Sequence, residues 1–299
     1  MPQKSHPAPR VVYGTPRKLP KPPTLKGRVA VLDIAFAAGS RRMSYEKITR
    51  PFIEALGSRL AVWIDHHDHS MHAAHAGDRR FVLRTKAEHP ACPEMVTAER
   101  IAAAGPVDTV LCHTDFDGLC SAAKWVREGE EPYPGADADA RIIDTRLGKP
   151  GALAEAIDRA LRARQTDNAI RDLIVDFLAE GARDEQAHDA IRRAADGLLP
   201  LEERARAIAR DYEVRGRVAL ARVPQGGAAY DKTELLMLGQ QRAPIAVVAD
   251  RGTVTVAAAF DSGIDLLKLL DLPGGMPTVV SVPANRLDQV LATLGWKAG

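Results

Sequence analysis

The chain has 299 residues, 45% of them hydrophobic and 27% charged, with a formal net charge of +2. That length accommodates a substantial core and two domains of ordinary size. The near-neutral charge argues against purely electrostatic binding to long nucleic acid, though not against a local basic groove. No apolar run reaches the roughly 20 residues that cross a bilayer, and no secretory apolar stretch opens the chain. Cys92, Cys112 and Cys120 are scattered. The expectation is a cytoplasmic protein with reduced thiols and no membrane partner.

Met1 to Lys26 is rich in Pro, Lys and Arg and reads as a flexible tail or a strap over the surface, because it offers little apolar area to offset ordering entropy. The β-branched run Arg28 to Phe36 predicts a buried strand carrying Asp33. Ser44 to Gly57 reads as a helix interrupted at Pro51. Leu60 to Asp65 predicts a second strand, followed by a loose His-rich loop and a short strand near Phe81-Val82-Leu83. Pro93 is tolerated in a first helical turn, and Glu94 to Ala104 continues as a helix. Val107 to His113 is strand-like, Gly118 to Arg127 helical, and Arg141 to Asp144 strand-like. Helical patterns follow over Ala152 to Arg164, Ala169 to Ala179 and Asp184 to Ala195. Such alternation predicts an α/β fold, a mostly parallel sheet with helices on both faces.

After a helical stretch, Leu201 to Tyr212, the pattern changes. Val218 to Ala221 is a short strand, and Thr233 to Leu238 is helical. Ala246 to Ala249 and Thr253 to Phe260 are strands around the turn Asp250-Arg251-Gly252. A helix over Ile264 to Leu270, the turn Gly274-Gly275, the strand Thr278 to Val282 and a last helix complete a smaller α+β unit.

Two clusters stand at predicted strand ends: Asp65-His66-His67 and His113-Thr114-Asp115-Phe116-Asp117-Gly118. In an extended segment the alternating side chains of His113, Asp115 and Asp117 share one face, and Gly118 would permit a sharp turn. Asp33 is placed to bridge, and Asp144 stands near another predicted strand end. Ligands gather at the carboxyl ends of parallel strands. Imidazole with several carboxylates and no thiolate favours two divalent cations, manganese before magnesium, over a structural zinc. Such a pair clamps a phosphoryl group and activates water for attack. Alone, Asp65-His66-His67 could have its imidazoles satisfied by backbone groups, and His113-x-Asp115-x-Asp117-Gly118 could be a turn with Asx caps; together with Asp33 and Asp144 they point to metal. His69, His72 and His75, on the loose loop, are not expected to join it.

These residues resemble the DHH phosphoesterases, whose eponymous triad stands here as Asp65-His66-His67. Val31-Leu32-Asp33 is similar to the family motif with the bridging carboxylate. His113-x-Asp115-x-Asp117-Gly118 is similar to the ligand motif that usually comes first, and Ile143-Asp144-Thr145-Arg146 to the fourth motif. Here the ligand motif follows the triad, as in a circular-permutation-like rearrangement that keeps the spatial site. The resemblance implies Asp33, His66, His113, Asp115, Asp117 and Asp144 as metal ligands. It gives His67 a role at the substrate phosphate or leaving group, and Asp65 the task of orienting His66 or touching a metal.

The implied organisation is a tail (1–26), a catalytic unit (27–198), a helical connector (199–214) and a DHH-associated substrate-binding unit (215–299). In that last unit Gly274 and Gly275 could offer backbone N–H groups to an anion, although Met276 and Asp261 stand where the family has His and Arg. Arg41 and Arg42, or Arg79 and Arg80, could add bidentate phosphate contacts. The implied activity is hydrolysis of phosphodiester or phosphomonoester bonds in short oligonucleotides, cyclic dinucleotides or nucleotide bisphosphates. A single-strand exonuclease and a non-catalytic nucleotide-binding protein on the same scaffold are the alternatives, and a homodimer is left open.

Overall fold

The short β-branched run Arg10–Tyr13 forms strand β1, followed by β2 (Val29–Leu32), helix α1 (Arg50–Leu56), β3 (Leu60–Asp65), the two-residue β4 (Asp68–His69) and β5 (Phe81–Leu83). Then come α2 (Ala98–Ala104), β6 (Thr109–Cys112), α3 (Phe116–Val126), α4 (Ala136–Thr145), α5 (Ala152–Ala163), α6 (Asn168–Ala179) and α7 (Glu185–Asp196). The computed structural model describes residues 7–39, 43–224 and 226–296. Arg41 and Arg42, expected to contact substrate, lie outside them.

Five strands form a parallel sheet in the order β1-β6-β2-β3-β5. Every residue of β2, β3 and β6 is buried, because both faces are covered. Ala30, Leu32, Val62, Ile64, Val110 and Cys112 pack with the apolar faces of α3 and α5 to α7. On the other side Val29, Val31, Leu60, Trp63 and Leu111 pack with Phe36, Phe52 and Leu56, the phase of β3 changing after Leu60 where its register with β2 shifts. A side-chain period of two over strands buried on both faces produces this unbroken apolar reading.

The chain continues through α8 (Leu199–Ala209), β7 (Glu213–Arg215), β8 (Val218–Arg222), α9 (Lys232–Gln240), β9 (Ile245–Asp250), β10 (Thr253–Ala258), α10 (Leu266–Leu269), β11 (Gly274–Gly275), β12 (Val279–Pro283) and α11 (Leu287–Thr293). A second, mixed sheet has the order β12-β10-β9-β8-β7, in which only β8 and β9 run parallel. Arg251 (φ 41°) and Gly252 (φ 90°) form the two-residue hairpin loop between β9 and β10, the left-handed pair that matches strand twist. The expected connector helix α8 does not stand free. Its Ala205 and Ala209 join the cluster of Ala219, Ala246 and Leu235 on one face of this sheet.

Several local expectations change. Residues 10–13 of the expected tail are a sheet strand, because Val11, Val12 and Tyr13 supply apolar area against which they pair in register with β6. Arg59 also holds Pro22, Leu25 and Gly27 by their carbonyls. Ahead of Pro51, residues Tyr45–Thr49 form a π turn, and α1 starts at Arg50. Pro93–Met95 is a separate 3₁₀ turn before α2. Arg141 to Asp144 is the end of helix α4, not a strand. Ala136, Ala140 and Ile143 are its buried apolar residues, at helical spacing, so the β-branched signal came from packing against neighbouring helices. The His-rich loop is packed rather than loose: Ser70–His75 is a 3₁₀ run, and Phe36 receives the rings of His69, His72 and His75 at 5.4–5.6 Å between centroids.

Candidate metal centre

Strand order brings the clusters together. β2 lies between β3 and β6, so Asp33, the residue after β2, lies between the segments that follow its two neighbours. The Asp33 N–H donates to the Ile64 carbonyl (2.9 Å), and the His113 N–H to the Leu32 carbonyl (3.2 Å). Asp33 is buried with φ +58°, a left-handed conformation that costs a non-glycine residue roughly 1–3 kcal/mol and is held only by surrounding structure. On the far side, α3 begins immediately after β6. Asp115 is its N-cap, accepting from the Gly118 N–H at 3.0 Å. Asp117 is in the first helical turn. Gly118 is therefore not a turn residue but a close-approach residue: a Cβ there would lie 2.6 Å from the His113 carbonyl oxygen.

Three overlapping donor groups result among the described residues: Asp33 with His66 and His67, and two others, an outer and an inner group, with Asp33 beside both. In the outer one, Asp33, His113 and Asp115 present ligand atoms within 4.8 Å of one another. His113 Nδ1 lies 2.7 Å from Asp115 Oδ2 and 3.7 Å from Asp33 Oδ2. In the inner one, His66, Asp117 and Asp144 converge in the same way. His66 Nε2 is 3.1 Å from Asp33 Oδ1 and 3.0 Å from Asp117 Oδ2. Asp144 reaches this position from the last turn of α4, so its arrival depends on helix packing. Asp65 does not orient His66: its Oδ1 accepts from His67 Nδ1 at 2.8 Å. His66 Nδ1 instead donates to the His89 carbonyl at 2.8 Å, which turns Nε2 toward the carboxylates.

The outer group fits a divalent ion. Both Asp33 oxygens are buried without a hydrogen-bond donor, an expensive arrangement unless a cation is supplied. Its two carboxylates and one imidazole are a hard donor set, and the half-exposed Asp115 side chain opens the group to solvent. Burial, reinforced by the charges of Asp117 and Asp115, holds the Asp33 carboxyl above its usual range. Burial alone would lower the His113 pKa; Asp115 outweighs it and pushes it up to about 9.

The inner group contains a residue that sequence reasoning did not anticipate. Lys86 is 1% exposed; its Nζ donates to His66 Nε2 at 2.8 Å and pairs with Asp144 Oδ2. The loop carrying it is tied down. Arg84 N–H donates to the Asp65 carbonyl (2.9 Å), Lys86 N–H to Asp68 Oδ2 (3.2 Å), and Glu88 closes the turn on Thr85 N–H (2.8 Å). Burial opposes the charge on Lys86, but Asp144, Asp117 and Asp33 overcome it and raise the pKa. Lys86 Nζ thus lies among the donor atoms of the inner group.

The centre lies on the floor of two clefts between the sheets. One, about 450 Å³, is lined by Asp115, Asp117, Asp144, Arg146 and residues of α9 and β10. The other, about 420 Å³, is lined by Asp33, His67, His113, Arg17, Arg286 and the segment Asp271 to Met276. Gly274 and Gly275 are not a free turn. They pair antiparallel with His69 and Asp68 as β11 and β4, and the Ser70 N–H donates to the Pro273 carbonyl at 2.8 Å. A side chain at Gly274 would collide with the His69 ring and approach the Asp68 carbonyl oxygen to 2.5 Å. Arg80 is unsuited to phosphate, since Asp78 and the Gly57 carbonyl engage its guanidinium. Arg79 is exposed. No family model matches the chain, and no curated protein matches it. Among solved structures it is similar to the pGpG-specific phosphodiesterase PggH from Vibrio cholerae, at 11% identity over 64% of this chain and 82% of that one, with a TM-score of 0.40. A likeness that distant carries no argument about activity.

Proposed function

We propose that this chain is a divalent-cation-dependent phosphoesterase acting on phosphodiester or phosphomonoester bonds of short oligonucleotides, cyclic dinucleotides or nucleotide bisphosphates, with manganese the favoured ion. The observation that carries the reading is Asp33: a strained, buried carboxylate with two donor-less oxygens, flanked by His113 and Asp115 at the carboxyl end of a parallel sheet. Asp33, His113 and Asp115 would hold the ion. When bound, it supplies Lewis acidity for a phosphoryl oxygen and for water.

The chain's own residues contribute the rest. Asp65 accepts a hydrogen bond from His67 Nδ1–H, so the imidazole meets the cleft through Nε2. Burial holds His67 below its usual pKa against the pull of Asp65, so it is neutral at pH 7 and able to take a proton or, once charged, return it to a leaving oxygen. The sizes of the clefts support short substrates, since a few hundred Å³ matches a small ligand rather than a polymer. Arg17 and Arg286 line one cleft and could meet such a ligand, whereas Arg146 in the other is already paired with both carboxylate oxygens of Asp158.

The test is turnover of bis-p-nitrophenyl phosphate and of a linear dinucleotide with and without Mn²⁺, for the native chain and Asp33→Asn. Metal-dependent hydrolysis that the substitution removes supports the reading. Equal rates in the two proteins, or no hydrolysis of either substrate with nucleotide binding intact, defeats it, and the latter selects the non-catalytic scaffold.

A further inference from the structure

We propose that the Lys86 ammonium permanently occupies the inner cation position formed by His66, Asp117 and Asp144, so that the centre takes one divalent ion, at Asp33, His113 and Asp115. This rests on the metal-centre reading above and replaces the expected pair of ions.

The argument is one of exclusion. His66 donates through Nδ1 to the His89 carbonyl, so any metal must use Nε2, at a bonding distance well short of a hydrogen bond, about 2.0–2.1 Å in the case of zinc. Lys86 Nζ already lies 2.8 Å from that same nitrogen and pairs with Asp144, two of the three donors in the inner group. An ammonium in contact with that nitrogen and a metal ion bonded to it would occupy the same space, so a metal would have to evict the lysine. The lysine has no ready exit. Its side chain is 2% exposed, its backbone N–H is held by Asp68, and its loop is pinned to the Asp65 carbonyl. Leaving the pocket would strand a buried charge or force the loop open, and separating a buried ion pair is strongly unfavourable.

The same geometry explains why the ammonium belongs there. His66 Nε2 lies 3.0–3.1 Å from oxygens of Asp33 and Asp117, with Asp144 beside them. Such a group needs a positive partner, and an ammonium with three N–H donors can serve the imidazole and a carboxylate at once. The outer group, in contrast, has donor-less oxygens and an opening to the cleft. The two positions therefore differ in kind: one is closed by the chain's own cation, the other is open to an ion from solution.

The experiment is a Mn²⁺ titration of the full chain followed by electron paramagnetic resonance, which reports both the number of bound ions and any magnetic coupling between neighbours. The expected result is one tightly bound, uncoupled ion per chain. Lys86→Met, of similar length but uncharged, should bind a second ion, and the spectrum should then show coupling. Two coupled ions in the native protein would overturn the proposal and leave the metal-centre reading standing; no tight ion at all would overturn both. A folded Lys86→Met protein that still binds one ion would also overturn it. Should that variant not fold, the native stoichiometry decides alone.

Discussion

Replacing Gly118 by Ala tests the packing logic of the centre most directly, because two physical effects predict opposite signs. Gly118 lies in the first turn of α3, where substitution of glycine by alanine ordinarily stabilises a helix, by up to about 1 kcal/mol. Here the new Cβ would lie 2.6, 2.7 and 2.8 Å from the carbonyl oxygen, carbonyl carbon and Cα of His113. All three are backbone atoms, so no rotamer change relieves the contact. Restoring ordinary van der Waals separation would require the start of α3 to retreat from the end of β6 by roughly 0.5–1 Å, and overpacking of this kind costs about 1–3 kcal/mol. The retreat would carry Asp115 and Asp117 away from His113 and Asp33, whereas metal–ligand distances tolerate only about ±0.2 Å. The expected outcome is a fall of roughly 2–8 °C in the thermal transition of this domain, together with weaker Mn²⁺ binding. Calorimetry and a Mn²⁺ titration of the same protein provide the check. A variant at least as stable as the native chain, with undiminished affinity, would refute the close-approach account.

The other expectations are shorter. Asp33→Asn should reduce metal-dependent turnover by more than the roughly 10–100-fold typical of a residue that merely supports a ligand. In chelator it should be as stable as the native chain or more so, because it removes a buried charge without a donor; a clear loss of metal-free stability by calorimetry would contradict this. Gly274→Val should break the pairing of β11 with β4, and hydrogen exchange at Ser70, whose N–H is bound to Pro273, should accelerate; unchanged exchange would show that the clasp survives. Mn²⁺ affinity should rise with pH. The His113 pKa in the metal-free protein is pushed up to about 9, and a ligand must lose its proton to bind. From pH 7 the apparent association constant should therefore increase about tenfold per unit and level off near that value. Calorimetric titrations in buffers of different ionisation enthalpy should reveal the released proton, and a flat profile would exclude His113 as a ligand.

Much of the scaffold was legible because buried parallel strands leave an unmistakable trace. The runs ending at Leu32, Asp65 and Cys112 are apolar on both faces, and the polar residues that follow are delivered to one sheet edge by topology alone. Asp33, His66, His113 and Asp115 could thus be named together from the chain, although their order along it says nothing of which strands are adjacent. Asp144 was named on the wrong element: Ile142 and Ile143 carry the same β-branched signature in a packed helix as in a strand, and only tertiary contact distinguishes them. His69, His72 and His75 looked like a solvated loop because nothing local announces that Phe36, far back in the chain, will lie among their rings.

Strand-end chemistry is written locally, in the alternation and length of apolar runs, and the amino-acid order by itself determined it. The charge state of the centre is not local. Lys86 stands in an unremarkable turn, 20 residues from His66 and 58 from Asp144, with no periodicity to betray its burial. Its place beside them, and the closing of one cation position by the chain itself, were decided only when sheet, loop and α4 packed together, since an ion pair between distant segments exists only after the fold has brought them within reach.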